Sequence, residues 1–360
     1  MGVGGILTTR GTTIAVIPGD GVGVEVTDAA VAVLRAVVAQ RRWSVTFAEF
    51  PWGCNYYERH GRMMPADGLE TLARFDAILL GACGWPTVPD HVSLWGLRLA
   101  ICQGFDQGVC VRPVRLLPGV ESPLRGGDDR TVNFVVVREN AEGEYAGVGG
   151  RAHRGLDSEM AIESMVYSRR NITRVVRHAF ELARSGPSRC LVSVTKSNAS
   201  QHAGVLWDEV ARAVAEQFPD VTMESELVDA MAARLVLRPD SVHVLVASNL
   251  HADILSDLTA ALAGGLGVAP SANFNLERSH PSMFEPVHGS APDIAGKDIA
   301  NPIGAILSAA MMLDHLALSE GALSIRAAVA RTTTAGILTP DLGGDCTTRQ
   351  VTDAVIAHLA

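Results

Sequence analysis

Lysine is nearly absent from this chain: of its 30 basic residues, only Lys196 and Lys297 are not arginine. Where a fixed positive charge suffices, the sequence uses a guanidinium, which keeps its proton at any accessible pH. A retained lysine therefore marks a place where an amine that can lose its proton has a use. Lys297 lies in a polar, Gly-rich stretch and reads as a surface residue. Lys196 ends the apolar run "CLVSVTKSN", which reads as a buried strand opening into a polar turn, and such strand ends line the ligand crevice in α/β proteins.

Other absences exclude whole classes. The six cysteines, Cys54, Cys83, Cys102, Cys110, Cys190 and Cys346, form no C-x-x-C pair and no regular spacing. Neither a zinc site nor a disulfide framework is indicated, and reduced thiols in a cytoplasmic protein are expected. The longest apolar segment, "PIGAILSAAMMLDHLAL", is broken by Asp314 and His315 and is too short to span a bilayer, so it reads as a core helix and no membrane partner is expected. The start, "MGVGGILTTRG", lacks a basic region followed by a long apolar core, and Ile6 stands where a myristoylation signal needs Ser or Thr. Positive charge is not in excess either: the net charge of −9 gives no electrostatic case for nucleic acid. An acidic substrate must therefore be met by a local arginine cluster.

What is present is a 360-residue chain with 48% hydrophobic and 19% charged residues, which suits two domains or one large domain with insertions. Strand-like runs ("TIAVIPGD", "DAILLGACG", "VNFVVVREN", "VHVLVASN") alternate with helical patterns such as Ile172, Val175, Val176, Ala179 and Phe180, giving an α/β reading. "GDGVGVEV" follows a strand and opens a helix, but Val24 and Val26 stand where G-x-G-x-x-G requires its last glycine. Tight backbone turning is the meaning left to those glycines.

In "SNLHADILSD", Asp253 and Asp257 are four apart, which on a helix puts both carboxylates on one face. Like charges so placed repel unless a cation relieves them, and oxygen-only ligands point to Mg²⁺ or Mn²⁺; an Asp near a helix start also simply complements the dipole. Arg98, Arg112, Arg115 and Arg138 are candidates for gripping carboxylates bidentately, and the strand-end position of Arg138 sets it apart from surface arginines.

Seven segments, "IPGDGVG", "RPVRLLPG", "VRENAEGEY", "TKSN", "VDAMA", "SNLHADILSD" and "MFEPVHGSAPDIAGKDIANP", together resemble the isocitrate/isopropylmalate dehydrogenase family, the β-decarboxylating dehydrogenases of (2R)-hydroxy acids, in order over essentially the whole chain. "GWPTVPDHVSLWG" and "HPSMFEPVHGSAPDIAGK" look most like its tartrate/D-malate branch. The resemblance implies an α/β, isopropylmalate dehydrogenase-like two-domain fold that is not Rossmann. Residues 1–106 and 266–360 would form a large cofactor-binding domain and 107–265 a smaller central domain carrying the dimer interface. The active site would lie in the interdomain cleft of a homodimer and be completed by the partner subunit. By motif, Lys196 is then the general base, Tyr145 the acid, and Asp229, Asp253 and Asp257 the Mg²⁺ or Mn²⁺ ligands, with Lys196 and Asp229 reaching across from the other subunit. Arg112 and Arg138 match arginines that hold the malate part of a small hydroxy-acid substrate.

The chemistry implied is oxidation at C2, loss of CO₂ and protonation of the enolate, in which an arginine at 196 would keep its proton and lose the reaction. Asp293 and Ile294 stand where NADP-dependent relatives carry Lys and Tyr, so NAD is expected, a carboxylate accepting from a ribose hydroxyl and repelling a phosphate. His288, Gly289 and Asn301 match positions around the adenosine and pyrophosphate, and Glu285 one near the nicotinamide. Relatives carry an arginine where this chain has Cys102, and Arg98 lies one helical turn earlier. Arg98 either reaches back to replace that charge or meets an anionic γ-group of a homoisocitrate-, isocitrate- or phosphonomethylmalate-like substrate. A silent regulatory subunit would be expected to lose the base, the acid or a metal carboxylate, and all are retained here. The distance in sequence from Tyr145 to Lys196 excludes a Tyr-x-x-x-Lys short-chain dehydrogenase.

Overall fold

A computed structural model describes residues 11–359. The N-terminal segment read above for a leader or lipidation signal lies almost wholly outside them. Twelve strands are present: β1 (Thr12–Gly19), β2 (Val45–Glu49), β3 (Ala77–Ala82), β4 (Val109–Arg115), β5 (Asn133–Glu139), β6 (Gly143–Ala152), β7 (Met160–Val166), β8 (Cys190–Thr195), β9 (Thr222–Leu227), β10 (Val244–Ala247), β11 (Pro270–Phe274) and β12 (Ser282–Pro286). Ten of them make one sheet in the order β2-β1-β3-β12-β11-β4-β5-β10-β8-β9. Both outer portions are parallel, and β11 and β4 at the centre run antiparallel to their neighbours. The strands on the β2 side come from 12–82 and 270–286, those on the β9 side from 109–247, so both chain ends build one half and the middle of the chain the other.

The parallel strands read as continuous apolar runs because helices cover both faces; every residue of β3, "AILLGA", is buried. The helix Arg169–Ser185 starts at Ser168, whose side chain accepts from the Asn171 amide, and it buries the apolar stripe from Ile172 to Ala183. Phe180 stacks on Phe218 at 4.9 Å beneath the β8–β10 side. The apolar segment read as a core helix is the helix Ile303–His315, packed against β11 and β12. All six cysteines are free, and among the described residues no helix is long and apolar enough to cross a membrane.

The remaining two strands, β6 and β7, form a separate antiparallel ribbon. It exposes Val148, Met160, Ile162, Met165 and Val166, apolar side chains that a ribbon in water has no reason to carry. Ile254 and Leu237, on the mutually packed helices Asn249–Leu262 and Val228–Leu237, are also exposed, at 62% and 77%.

Candidate active site

The turn after β1 sets the floor of the site. Gly19 and Gly21 have φ of 72° and 57°, and a Cβ there would stand 1.8 Å from the Ala82 carbonyl oxygen and 2.0 Å from that of Ser290. The glycines thus serve close backbone approach, not a phosphate fingerprint. Between them Asp20, 6% exposed, accepts from the Cys54 amide at 2.7 Å and the Gly84 amide at 2.9 Å. The amide of Val22 donates to the Ser290 carbonyl, tying the segment 287–291 to the helix Val22–Arg41.

Above this floor lies a cavity of about 240 Å³. Arg98, Arg112 and Arg138 line it together with Tyr145, Asp253, Asp257, Glu285, His288 and Gly289. Nine residues selected from the sequence therefore share one space, although they come from strands, loops and helices as far apart as 98 and 289. Asp253 and Asp257 project from consecutive turns of the helix Asn249–Leu262, the arrangement their spacing requires.

Asp253 is the hub. Arg138 contacts its Oδ1 directly, Arg112 stands 3.5 Å from the same oxygen, and the Tyr145 hydroxyl donates to Oδ2 at 3.2 Å. Burial alone would raise the Asp253 carboxyl, but Arg138, Arg112 and Arg98 outweigh it and hold its pKa below the ordinary carboxylate value. Asp257 moves the other way: burial and the neighbouring Asp253 raise it, against the pull of Arg112. A pair of oxygen donors with one carboxyl destabilised in its charged form by the other is a donor set that a hard divalent cation fits. Burial and Asp253 raise the Tyr145 hydroxyl, which keeps it protonated. Arg138 is further aligned by Asn249, which accepts from its Nε at 2.9 Å.

Arg98 is nearly buried and has partners of its own. Its Nε donates to Glu285 Oε1 at 2.8 Å, its Nη2 lies 2.7 Å from the same oxygen, and Nη2 donates to Asn273 Oδ1 at 3.3 Å. Cys102 is 1% exposed and does not line the cavity. His288 bonds through Nδ1 to the Gly289 carbonyl, while its buried Nε2 has no partner and burial lowers its pKa. That orphaned ring nitrogen fits a hydroxyl-bearing cofactor such as a dinucleotide.

Not every selected residue is in this cavity. Asn301 uses its side chain within the protein, donating to Asp341 at 3.1 Å and accepting from the Ile303 amide at 3.0 Å. Asp293 is exposed on the turn around 291–297 and Ile294 is half-buried against the core. Lys196 and Asp229 pair with each other, Nζ to Oδ1 at 2.5 Å. Lys196 lines a separate small pocket with Tyr167, Ser248 and His251. Among the described residues of one chain, no group of three or more acidic, His or Cys side chains is assembled that could hold a metal; Asp253 and Asp257 stand together and Asp229 stands elsewhere. Asp20, Asn140 and Asn273 escaped the sequence reading. The signal open to it was a buried polar residue within an apolar strand, as in "PSANF".

An oxygen-donor pair, a protonated phenol and three guanidiniums around one cleft define an acid–base enzyme for carboxylate substrates. The chain belongs to the isocitrate/isopropylmalate dehydrogenase family, whose model matches residues 13–355. It is 55% identical over 348 residues to a probable tartrate dehydrogenase/decarboxylase of Agrobacterium vitis, covering 96% of each chain. It is 49% identical to the decarboxylating D-malate dehydrogenase of Escherichia coli, covering 95% of this chain and 97% of that one. The isocitrate dehydrogenase structure from Methylococcus capsulatus superposes with a TM-score of 0.88 at 34% identity, over 97% of this chain and 99% of that one.

Proposed function

We propose that this chain is an NAD-dependent, metal-requiring dehydrogenase that oxidises and decarboxylates a (2R)-malate-type hydroxy acid of the D-malate or tartrate kind to a 2-oxo acid and CO₂. The observation that carries the reading is the meeting of Arg112, Arg138, Tyr145, Asp253 and Asp257 in one cavity beside the Glu285–Gly289 segment. The names of the relatives support the substrate class.

Asp253 and Asp257 hold the cation, together with Asp229 of a second subunit. When bound, the cation would supply Lewis acidity toward the substrate's hydroxyl and the enolate oxygen, and the nicotinamide would supply the hydride acceptor. Arg112 and Arg138 orient the malate carboxylates. Lys196, also from the second subunit, takes the hydroxyl proton as the C2 hydride leaves. Tyr145 returns a proton to C3 after CO₂ departs, its hydroxyl kept protonated by burial and by Asp253. His288 and Gly289, with Asp293, Ile294 and Asn301, serve the adenosine end.

A homodimer with shared sites accommodates two otherwise unexplained features. The β6–β7 ribbon and the helices bearing Ile254 and Leu237 offer an apolar face of the kind an obligate dimer covers, and the Lys196–Asp229 pair stands outside its own chain's cavity. The segments 1–106 with 266–360 and 107–265 act as the two domains around the cleft, and the free thiols suit the cytoplasm. The test is NADH and CO₂ formation from D-malate and tartrate with Mn²⁺, against the same mixtures with chelator or NADP⁺. Both products with NAD⁺ and metal are expected. Neither product from any such acid would overturn the proposal.

A further inference from the structure

We propose that Arg98, latched by Glu285 and Asn273, is a specificity residue that denies the cavity a third substrate carboxylate, and that Asn273 is the positioning residue of the latch. The inference rests on the malate-type reading above and narrows it to dicarboxylic 2-hydroxy acids whose C3 substituent is small and uncharged.

Arg98 closes a single π-helical turn, Leu94–Arg98, set between the α-helical segments Asp90–Ser93 and Leu99–Gly104. Such a turn re-aims a side chain relative to regular helical spacing and recurs at functional sites. The guanidinium arrives with an 11% exposed side chain against Glu285, whose side chain is 7% exposed. Glu285 Oε1 accepts from Arg98 Nε and from Asn273 Nδ2, both at 2.8 Å, with Arg98 Nη2 at 2.7 Å. Asn273 is fully buried, and its Oδ1 accepts from Arg98 Nη2 at 3.3 Å and Asn140 Nδ2 at 3.0 Å. Asn140 in turn donates to the Gln107 carbonyl at 3.0 Å. The network admits one orientation of the Asn273 amide: flipped, its NH₂ would face two donors.

The consequence is a question of which carboxylates compete for each guanidinium. Arg112 and Arg138 share Asp253, which a cation at the Asp253–Asp257 pair would also engage, so both would then be free to grip a substrate. Glu285 has no such competing claim on Oε1, where Arg98 and Asn273 both donate. To meet a γ-carboxylate, Arg98 would have to abandon a buried Glu285 and leave that charge uncompensated, which is the costly way to break a buried pair. The formal charges agree: Arg98, Arg112 and Arg138 balance Asp253, Asp257 and Glu285. The arginine missing at 102 is thus supplied from 98, one turn earlier, but as a neutralised wall.

The experiment compares D-malate with isocitrate, by calorimetric binding to the Mn²⁺-loaded protein without NAD and by kcat/KM, in wild type, Asn273→Ala and Glu285→Gln. Wild type should discriminate against isocitrate; Glu285→Gln, which removes the carboxylate that holds Arg98, should shift the isocitrate/malate ratio upward by roughly tenfold or more, and Asn273→Ala should shift it in the same direction by less, since it removes only the second acceptor of the latch. A purely structural role for Asn273 would weaken both ligands equally and leave the ratio unmoved. An unmoved ratio in both variants, or equal binding of the two acids by wild type, overturns the latch. If Asn273→Ala does not fold, Glu285→Gln, which keeps the shape of the side chain, decides alone. Failure of wild type to oxidise any dicarboxylate would instead sink the functional reading.

Discussion

Lys196 and Asp229 are bound to each other at 2.5 Å, yet neither lines the cavity into which Asp253 and Asp257 project. Asp229 is exposed, and the pKa of its carboxyl is lowered chiefly by the hydrogen bond from Lys196. As the proposed base and metal ligand, the pair would have to be delivered to another chain's cavity, since it stands outside its own. Subunit complementation tests this. Lys196→Met and Asp253→Asn should each be inactive, whereas co-refolding the two in equal amounts should restore about a quarter of wild-type activity, because half the dimers are mixed and each carries one intact site. If the mixture stays inactive while wild type survives the same refolding, the site is not shared.

Tyr145 bears on proton return. Its hydroxyl donates to Asp253 Oδ2, and burial with that neighbour raises its pKa, so it remains a donor across the neutral range. Tyr145→Phe should lower kcat about 100-fold, within the span of a lost general acid, with a smaller change in KM. The pH profile of wild-type kcat should show no alkaline fall assignable to this hydroxyl below its ordinary titration. A variant with unchanged kcat would remove Tyr145 from the chemistry.

Local patterns reached far into this site. The strand ends at Arg138 and Lys196, the i, i+4 aspartates and the glycines around Asp20 were all legible, because each follows from backbone period or conformational permission. Long-range pairing was not. Glu285 lies 187 residues from Arg98, and nothing in either neighbourhood signals the ion pair that decides what Arg98 can do. The π-turn Leu94–Arg98 was also unsignalled, although the regular helix Leu99–Gly104 keeps Arg98 one turn before Cys102. The antiparallel centre of the sheet was equally hidden, since strand direction depends on which distant strands pair and not on the apolar content of β11 or β4.

The proposed preference for NAD rests on the exposed turn carrying Asp293, with Ile294 tucked against the core. A carboxylate there repels a 2′-phosphate, and removing it while adding a cation and a phenol reverses the electrostatics. The double variant Asp293→Lys/Ile294→Tyr should raise the NADP⁺/NAD⁺ ratio of kcat/KM by about 100-fold, a span two charge-bearing contacts can supply. A ratio that does not move would place cofactor discrimination elsewhere in the loop.

Acid stability has a clear sign at His315. Its ring packs against Phe274 at 5.5 Å and Phe284 at 5.6 Å at the end of the helix Ile303–His315. Burial, aided by Arg278, lowers its pKa to about 4 from the ordinary imidazole value of 6.5. The unfolded chain therefore binds a proton that the native ring refuses, so stability is intact above about pH 6.5 and falls as pH drops toward about 4. His315→Phe removes the titration while keeping an aromatic ring in the cluster. Urea unfolding at stepped pH should show wild type losing on the order of 2 kcal/mol more than the variant across that window. Parallel losses in the two proteins would mean that the native ring titrates normally.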